Sequence, residues 1–382
     1  MYKKYYAQFL SHDRERLHFA AHSHHCWPDV TRDAHIACFD DGARLADEKW
    51  EKVFGAILPA AQQHAAKILN LPRPETIAFA PNTHEFVVRL FSCLEFDEPI
   101  RILTTDSEFH SFSRQAARLE EIEDVTIERI PVDPIDSFED RFAEAASRGG
   151  HDLVFFSHVF FNSGMRVRDL ARLVAAPPDP ETLVVVDGYH AFCAFPVDID
   201  PIRERAFYLA GGYKYAQAGE GVCLMHVPPA ASQLRPAATG WFADFASLET
   251  GATSPVGYGP DAYRFWGSTF DPSGLYRFNA VMDWRESIGL TIEKSDDYVR
   301  NLQRRFLKAE IPILPKSALI SEHLERIGHF LTYRLDNAGE LCKKLKELKV
   351  ISDFRGDRLR FGFGLYHDDR TIDSLVDRLK SL

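Results

Sequence analysis

The segment from Gly211 to Gly221 contains the residue whose chemistry is easiest to infer from its surroundings. Its sequence, GGYKYAQAGEG, places Lys214 between two tyrosines and several small residues, directly after an apolar run. Such neighbours exclude water, which lowers the pKa of a lysine and lets its neutral amine form a Schiff base with a carbonyl carbon. A surface lysine in a turn is the simpler interpretation, so the functional one requires a second group.

That second group is Asp187, which ends the apolar run LVVVD and is followed three residues later by His190. A carboxylate at the end of a buried strand is costly unless it has a cationic or hydrogen-bonded partner. A protonated pyridine nitrogen would be such a partner, and an N-cap role at the start of a following helix is the alternative. An acid at a strand end, followed by a lysine after the next strand, is the order found in fold-type I pyridoxal 5'-phosphate (PLP) enzymes.

Within that group the chain resembles the class V aminotransferases, and among them the kynureninases. The matching motifs are D-x-x-H at Asp187 and His190, Y-K-Y-x-x-A-G-x-G at 213–221, and G-W-F at 240–242. The resemblance extends, with gaps, from about Leu17 to the C-terminus. It implies PLP as the cofactor and an α-amino acid as the small-molecule substrate.

The resemblance also implies roles for the central residues. Lys214 would form the Schiff base with the cofactor and shuttle the catalytic proton. Asp187 would pair with the pyridine nitrogen, and His190 would lie near the ring hydroxyl or near Asp187. Tyr213 would reach the cofactor phosphate and would relay a proton together with Lys214.

Further residues would bind the phosphate. Asn82 and Thr83 follow a short predicted strand and open a helix, where backbone amides and the threonine hydroxyl can hold an anion, although the bare pattern is also that of an ordinary N-cap. The resemblance adds Trp241 and the pair Ser268 and Thr269. Because the family receives the last contacts from the neighbouring subunit, it implies a homodimer with shared active sites.

Two positions would border the cofactor ring. Phe109 follows the strand-like segment that ends near Thr104, and an aromatic ring here stacks on PLP in the wider class; the adjacent His110 is the alternative, and a plain core role for Phe109 is another. Asn162 follows the strand-like segment through His158 and would contact the ring hydroxyl, although asparagine before Ser-Gly is also normal in turns.

The substrate would be held by Arg360 and bordered by Ser23. Arg360 belongs to LRFGFGLYH, which resembles the class signature in which an arginine binds the substrate α-carboxylate in a planar, bidentate fork. Arg355 and Arg358 are the competing choices. Ser23 lies where kynureninases have a turn that borders the substrate, but the segment around it is bulkier here.

That segment, AAHSHHCWP at 20–28, replaces a Gly-Asn-Ser-Leu-Gly-Leu-like turn. A changed substrate pocket explains it better than a metal site, because adjacent histidines do not easily face one ion and no second ligand cluster is evident. We therefore predict no metal. The predicted reaction is kynureninase-like hydrolytic cleavage of a β-carbonyl side chain, with a class V aminotransferase as the alternative. A cysteine desulfurase is less favoured, because Cys342 lies in a helical pattern rather than in a mobile loop.

The amino-acid composition limits the kinds of partner and the cellular location that we expect. The 382 residues have 45% hydrophobic side chains and a net charge of −11, which is typical of a globular protein and argues against a nucleic-acid partner. The longest apolar runs are strand-sized, so no membrane association is predicted. The six cysteines form no CxxC pair, and the N-terminus has no apolar signal region, so we expect a cytoplasmic protein with reduced thiols.

The elements that must position these residues alternate between strand-like and helical patterns from about 76 to 226. Strands separated by 10 to 15 helical residues are typical of a mainly parallel sheet flanked by helices. We therefore predict an α/β fold of the fold-type I class, with a smaller α+β C-terminal domain. The predicted divisions are an N-terminal segment at 1–30 that joins the small domain, a large cofactor-binding domain at 31–240 and the small domain at 241–382.

Overall fold

The computed structural model of the chain describes residues 1–247 and 255–382. The strands are β1 (Leu17–His18), β2 (Ile77–Ala80), β3 (Ile100–Thr105), β4 (Val125–Ile130), β5 (Leu153–Ser157), β6 (Leu183–Asp187), β7 (Ala206–Gly211), β8 (Cys223–His226), β9 (Phe330–Arg334), β10 (Val350–Ile351), β11 (Asp353–Arg355) and β12 (Arg358–Gly362). The α-helices are α1 (Ala7–Ser11), α2 (Val30–Leu45), α3 (Lys49–Lys52), α4 (Leu58–Leu69), α5 (Thr83–Phe91), α6 (His110–Leu119), α7 (Phe138–Ser147), α8 (Leu170–Ala175), α9 (Ser273–Ser287), α10 (Ile292–Leu307), α11 (Ala338–Glu347) and α12 (Asp369–Lys380).

A seven-stranded sheet with the order β2-β8-β7-β6-β5-β3-β4 forms the centre of the protein. Strands β7, β6, β5, β3 and β4 are parallel, and β8 is antiparallel to both of its neighbours. Every residue of β5, β6 and β7 is buried, as expected for strands that are covered on both faces. The predicted α/β fold with a mainly parallel sheet is confirmed.

The strand directions bring the chemistry-bearing segments to one edge of this sheet. Because β8 is antiparallel to both β7 and β2, the carboxyl end of β2 lies at the same edge as those of the parallel strands. Ligands of open α/β sheets bind outside the carboxyl ends of the strands. The segments that follow β2, β3, β5, β6 and β7 therefore converge there.

A second, antiparallel sheet of order β11-β12-β9 lies in the C-terminal part of the chain. The N-terminal segment contacts this part, because Leu17 of β1 pairs with Val350 of β10 and Ala20 bridges to Gly362 of β12. The division of the chain at 30/31 and 240/241 stays a proposal.

The helical region at 31–71 is more divided than its pattern predicts. We expect one or two helices, whereas the structure has α2, the short helix α3, a π-helical turn at Val53–Ile57 and α4. Such π turns insert one extra residue per turn and shift the register of the apolar face. None of the described helices is both long and apolar enough to cross a membrane.

Candidate active site

Lys214 lies on a tight turn between β7 and β8. The turn is held by backbone hydrogen bonds from Gln217 to the Lys214 carbonyl at 3.0 Å and from Ala218 to the Gly212 carbonyl at 2.8 Å. The side chain is buried, and its Nζ lies 2.8 Å from His190 Nε2. Burial lowers the pKa of Lys214 to about 7, although the nearby charge of Asp187 acts in the opposite direction. The amine is therefore available in its neutral form near neutral pH.

Asp187 is the last residue of β6 and is also buried. Its Oδ1 accepts a hydrogen bond from the Tyr189 backbone N–H at 2.9 Å. Burial raises the pKa of this carboxyl, and the hydrogen bond and the charge of Lys214 offset the rise only in part. A cationic hydrogen-bond donor in the adjacent cavity would stabilise the ionised form.

One cavity joins these groups at the sheet edge. Its lining residues come from the segments that follow β2, β3, β5, β6 and β7, and they are Asn82, Thr83, Phe109, Ser111, Ser157, Val159, Phe161, Asp187, Tyr189, His190, Tyr213 and Lys214. The cavity therefore contains seven residues predicted from the sequence: Lys214, Asp187, His190, Tyr213, Asn82, Thr83 and Phe109.

His190 connects Lys214 to the rest of the cavity. Burial lowers the pKa of its imidazole well below the ordinary value, so the ring is neutral, and its Nε2 shares the 2.8 Å hydrogen bond with Lys214 Nζ. Nδ1 is buried and has no hydrogen-bond partner among the described residues. Buried polar atoms are rarely left unpaired, and this nitrogen can form a hydrogen bond with a group bound in the cavity.

The end of the cavity at α5 is suited to an anion. Asn82 is the N-cap of this helix, and its Oδ1 accepts from the Glu85 N–H at 3.1 Å. Thr83 is the first helical residue, and its Oγ1 lies 3.4 Å from Cys223 Sγ. The first N–H groups of a helix lack intrahelical acceptors and carry the positive end of its dipole, so a phosphate fits here.

Tyrosine rings and a phenylalanine form the walls around the amine. The Lys214 Nζ lies 5.0 Å from the ring centroid of Tyr189, 5.8 Å from that of Tyr213 and 5.4 Å from that of Phe109. His110 is exposed and does not line the cavity. Between the two sequence alternatives, the structure therefore places Phe109, not His110, beside the amine.

Tyr213 contacts both the cavity and the N-terminal segment. Its ring lies 5.1 Å from that of Tyr189 and is stacked at 5.1 Å on His24. Burial raises the pKa of Tyr213 to about 12, so the phenol keeps its proton. Gly211 makes this packing possible, because a Cβ at this position would lie 1.9 Å from the Tyr189 hydroxyl.

Arg360 is the inward-facing choice among the three arginines of its segment. It is buried, whereas Arg355 is exposed and Arg358 pairs with Asp133 and Asp357 near the surface. The guanidinium of Arg360 lies 5.8 Å from the ring centroid of Phe161, which lines the cavity. Arg360 itself is not a lining residue.

Other predicted residues lie outside the cavity. Asn162 donates to Ser107 Oγ at 3.0 Å, and its buried Oδ1 has no partner among the described residues. Ser23 is half-buried, with its Oγ 3.3 Å from His24 Nδ1. Trp241 is 47% exposed, and Ser268 and Thr269 are exposed as well, so their predicted phosphate contacts stay a prediction about a dimer.

The histidines of the N-terminal segment have separate partners. His22 Nε2 lies 2.9 Å from Asp353 Oδ1, and His25 Nδ1 lies 2.6 Å from the carbonyl of Cys26. Within residues 1–247 and 255–382, no group of three His, Cys, Asp or Glu side chains is arranged to hold a metal ion.

Sequence reasoning missed Glu108, which lies behind the cavity, and Ser157, which lines it. Glu108 is buried, and its carboxyl accepts from the Thr105 hydroxyl at 2.6 Å and from the Ser157 hydroxyl at 2.5 Å. Ser157 lies opposite Asp187 in the pairing of β5 with β6. Burial raises the pKa of Glu108 to about 8. The hydrogen bonds lower this pKa and offset the effect of burial only in part, and the charge of Asp187 raises it further. An acid directly before the predicted ring-stacking residue was the available signal.

The chain matches the family described as "Aminotransferase class-V" over residues 43–328. It belongs to that family. No curated protein sequence matches it significantly. The resemblance to the class V group is thereby confirmed.

Solved structures share the fold over nearly the whole chain. The cystine C-S lyase C-DES, in complex with its reaction product cysteine persulfide, has a TM-score of 0.82 and 19% identity, with 96% of this chain and 98% of that chain covered. An apo cysteine desulfurase from Thermococcus onnurineus NA1 has a TM-score of 0.77 and 16% identity, covering 96% and 94%. The cysteine desulfurase CsdA from Escherichia coli has a TM-score of 0.76 and 15% identity, covering 98% of each chain.

At these identities the similarity concerns the fold alone. A further structure of C-DES, a lysine mutant, contains glycine covalently linked to the PLP cofactor, with a TM-score of 0.82 and 19% identity. These structural matches are desulfurases and a C-S lyase, and they lend no support to the narrower kynureninase prediction.

Proposed function

We propose that this protein is a PLP-dependent enzyme that acts on an α-amino acid and cleaves a bond at its β-carbon. The observation that carries the proposal is the set formed by Lys214, Asp187 and His190 in one buried cavity, with the pKa of the lysine near 7.

The residues present fit the cofactor. Asp187 is a buried carboxyl that lines the cavity and forms no ion pair within the described part of the chain, and a pyridinium N–H would supply such a partner. His190 has an unpaired buried Nδ1. The first turn of α5 offers N–H groups and the Thr83 hydroxyl to a phosphate. Lys214 offers a buried amine to the aldehyde carbon.

When bound, PLP supplies an electron sink for the electrons that remain at the substrate α-carbon after a bond to it is broken. The protein's own contribution begins with Lys214, whose neutral Nζ takes the α-proton. His190 keeps this Nζ in place through the 2.8 Å hydrogen bond. Asp187, which also lines the cavity, would stabilise a positive charge on a bound group, and Phe109 forms one of the cavity walls.

Elimination of the β-substituent is the reaction that this site supports best. In that reaction the α-proton moves to Lys214, the bond from Cβ to the leaving group breaks, and hydrolysis of the remaining fragment gives pyruvate and ammonia. A desulfurase that carries sulfur on its own thiol would need a cysteine at the cavity, and none of the described lining residues is a cysteine. Burial raises the pKa of Cys223, which contacts Thr83, to about 12, so this thiol is not a nucleophile. The fold shared with a cystine C-S lyase supports the same choice.

A second candidate is the hydrolytic cleavage of a β-carbonyl side chain predicted from the sequence. The observation that favours it is the position of Tyr213, a protonated phenol that lines the cavity directly beside Lys214. A phenol here could donate a proton during attack of water on a side-chain ketone. The product would then be alanine and a carboxylic acid.

The test is a product analysis with the PLP-loaded protein and a panel of L-cystine, L-cysteine, L-kynurenine and L-aspartate. Elimination gives pyruvate, ammonia and the free leaving group in equal amounts, whereas hydrolysis of L-kynurenine gives alanine and the aromatic acid in equal amounts. Lys214→Ala should abolish either product, and Lys67→Ala serves as the matched control, because Lys67 is exposed and pairs with Glu286 at the surface. Conversion of the substrate to its own 2-oxo acid, with the amine retained on the cofactor, would overturn cleavage at the β-carbon in favour of transamination.

Exchange of the α-proton of L-alanine for deuterium tests whether the protein removes the α-proton of an amino acid at all, because alanine has no leaving group on its β-carbon. We expect exchange with the wild type and none with Lys214→Ala. Absence of exchange in the wild type, under conditions where alanine binds, would contradict the role of Lys214 as the base.

A further inference from the structure

A hydrogen-bonded chain of two buried residues, His22 and Arg360, and the half-buried Asp353 links the N-terminal segment, the small sheet and the edge of the cavity. Asp353 on β11 lies opposite Arg360 on β12 in the strand pairing. The carboxylate accepts from Arg360 Nε at 2.9 Å and from Nη2 at 2.6 Å, which is a bidentate pair. Arg360 Nη1 donates to the carbonyl of Phe161, a residue that lines the cavity.

His22 completes this chain from the opposite side. It has no exposed side-chain surface, and its Nε2 lies 2.9 Å from Asp353 Oδ1. Burial lowers the pKa of His22 to about 4, although Asp353 acts in the opposite direction, so the ring is neutral and donates through Nε2. The ring is stacked on Phe330 at 4.6 Å, which fixes its plane.

Asp353 is therefore held between two partners. Burial alone would raise the pKa of its carboxyl, but the contacts with His22 and Arg360 hold that pKa well below its usual range. The carboxylate keeps its charge, and its two oxygens occupy the edge of the guanidinium that carries Nε and Nη2. A guanidinium has five N–H donors, and the described residues accept three hydrogen bonds from this one, which leaves one donor on Nη1 and one on Nη2.

We propose that Asp353 and His22 are positioning residues, which hold Arg360 so that its two remaining donors receive the substrate α-carboxylate. The inference rests on the proposed function, because it requires an amino-acid substrate. Asp353 fixes the rotation of the guanidinium through its bidentate contact, and His22 fixes Asp353. Phe161 O and the rings of Phe161 and Phe330, each 5.8 Å from the guanidinium carbon, confine it further.

The positioning role and a purely electrostatic role for Asp353 predict opposite effects of its substitution on carboxylate binding. If its charge merely neutralised Arg360, then Asp353→Asn would leave a stronger positive field and would tighten carboxylate binding. In the positioning role, the same substitution places an amide N–H₂ group against either the guanidinium or His22. The guanidinium then loses its bidentate partner, and carboxylate binding weakens.

The experiment compares L-alanine with ethylamine, which has no carboxylate, as ligands of the PLP-loaded protein. Dissociation constants from the cofactor's absorbance give a carboxylate preference, defined as the ratio of the ethylamine constant to the alanine constant. We expect Asp353→Asn to reduce this preference at least about tenfold, on the scale of a charge-assisted hydrogen bond. The matched control is Asp357→Asn, since Asp357 is half-exposed and lies near Arg334 and Arg358 at the surface; it should leave the ratio unchanged.

Two substitutions of His22 separate positioning from charge, because the ring of His22 is neutral and neither substitution removes a charged side chain. His22→Phe removes the N–H donor but keeps a ring on Phe330, and it should lower the carboxylate preference in the same direction as Asp353→Asn. His22→Gln provides an amide donor and should restore part of it. An unchanged preference in His22→Phe would overturn the role of His22, and an increase in Asp353→Asn would overturn the positioning role of Asp353.

The wild type and Arg360→Gln show whether the proposed function or this inference has failed. If wild-type protein has no carboxylate preference, or if Arg360→Gln keeps it, then the assignment of Arg360 to the substrate is wrong. If Arg360→Gln abolishes the preference while Asp353→Asn and His22→Phe retain it, then Arg360 binds the substrate and the positioning inference is wrong. The cofactor absorbance and circular dichroism of each variant verify that it has folded and loaded.

Discussion

Replacement of Glu108 by glutamine should remove a pH dependence from the stability of this protein. The carboxyl is buried 2.5 Å from the Ser157 hydroxyl, and its pKa rises from an ordinary 4.5 to about 8. A carboxyl with a higher pKa in the folded state contributes its stability fully below the unfolded pKa. That contribution is lost as the pH rises toward the folded pKa, because the unfolded chain releases the proton first.

The size of the effect follows from the two pKa values. Each pH unit between them changes the free energy of unfolding by about 1.36 kcal/mol. Between pH 5 and pH 8 the wild type should therefore lose about 3 to 4 kcal/mol relative to Glu108→Gln, which is a large part of the stability of a typical protein. A glutamine has nearly the same shape, keeps a carbonyl acceptor and does not titrate.

The assay is urea unfolding of the cofactor-free wild type and variant at half-unit steps from pH 5 to pH 8. Subtracting the two profiles removes the contributions of the buried histidines, which both proteins share. Glu340→Gln on α11 is the matched control, because Glu340 is exposed, pairs with Lys344, and should change the profile little. Parallel profiles for the wild type and Glu108→Gln would refute the reasoning. Infrared spectra at pH 6.5 give a second check: the wild type should show the carbonyl band of a protonated acid, and Glu108→Gln should lack it. Absence of this band from the wild type would also refute the reasoning.

Three further predictions follow from the site. Asp187→Asn should retain PLP but slow α-deuterium exchange of alanine by about two orders of magnitude, the scale of a lost charge-assisted hydrogen bond, and near-normal exchange would contradict its role. Phe109→Leu should weaken cofactor binding, measured by equilibrium dialysis, while the exposed His110→Leu should not; equal effects would place the ring wall elsewhere. Sedimentation should show a homodimer. Substitution of both Ser268 and Thr269 by alanine should weaken cofactor binding without changing the dimer. A fully active monomer would contradict the prediction that the two subunits share their active sites.

The central sheet could be predicted from the sequence because its strands are continuous apolar runs. Val125–Ile130 has the predicted bounds, and Leu183–Asp187 is one residue shorter than predicted. Strands buried on both faces leave few alternatives for such runs, and the intervening helices complete the crossover pattern. The helices at 31–71 were less predictable, because a π-helical turn at Val53–Ile57 shifts their apolar face.

The candidate site was predictable where chemistry and strand ends coincide, as at Lys214 and Asp187. It was not predictable where the partners are distant in the sequence. The bond between His22 and Asp353 spans 331 positions. The sequence marks the segment around His22 as a changed pocket, but no local pattern marks Asp353 as its partner. Glu108 was not predicted for a related reason. Its hydrogen bonds with Ser157 join the segment after β3 to the end of β5, and only the folded sheet brings these two segments together.

The most direct test of the account is the identity of the lysine that carries the cofactor. The PLP-loaded protein should be yellow, and treatment with borohydride followed by peptide mapping should find the reduced cofactor on the peptide that contains Lys214. Lys214→Ala should give no labelled peptide under the same conditions. Cofactor fixed to any other lysine of the wild type, or equal labelling in Lys214→Ala, would contradict the account.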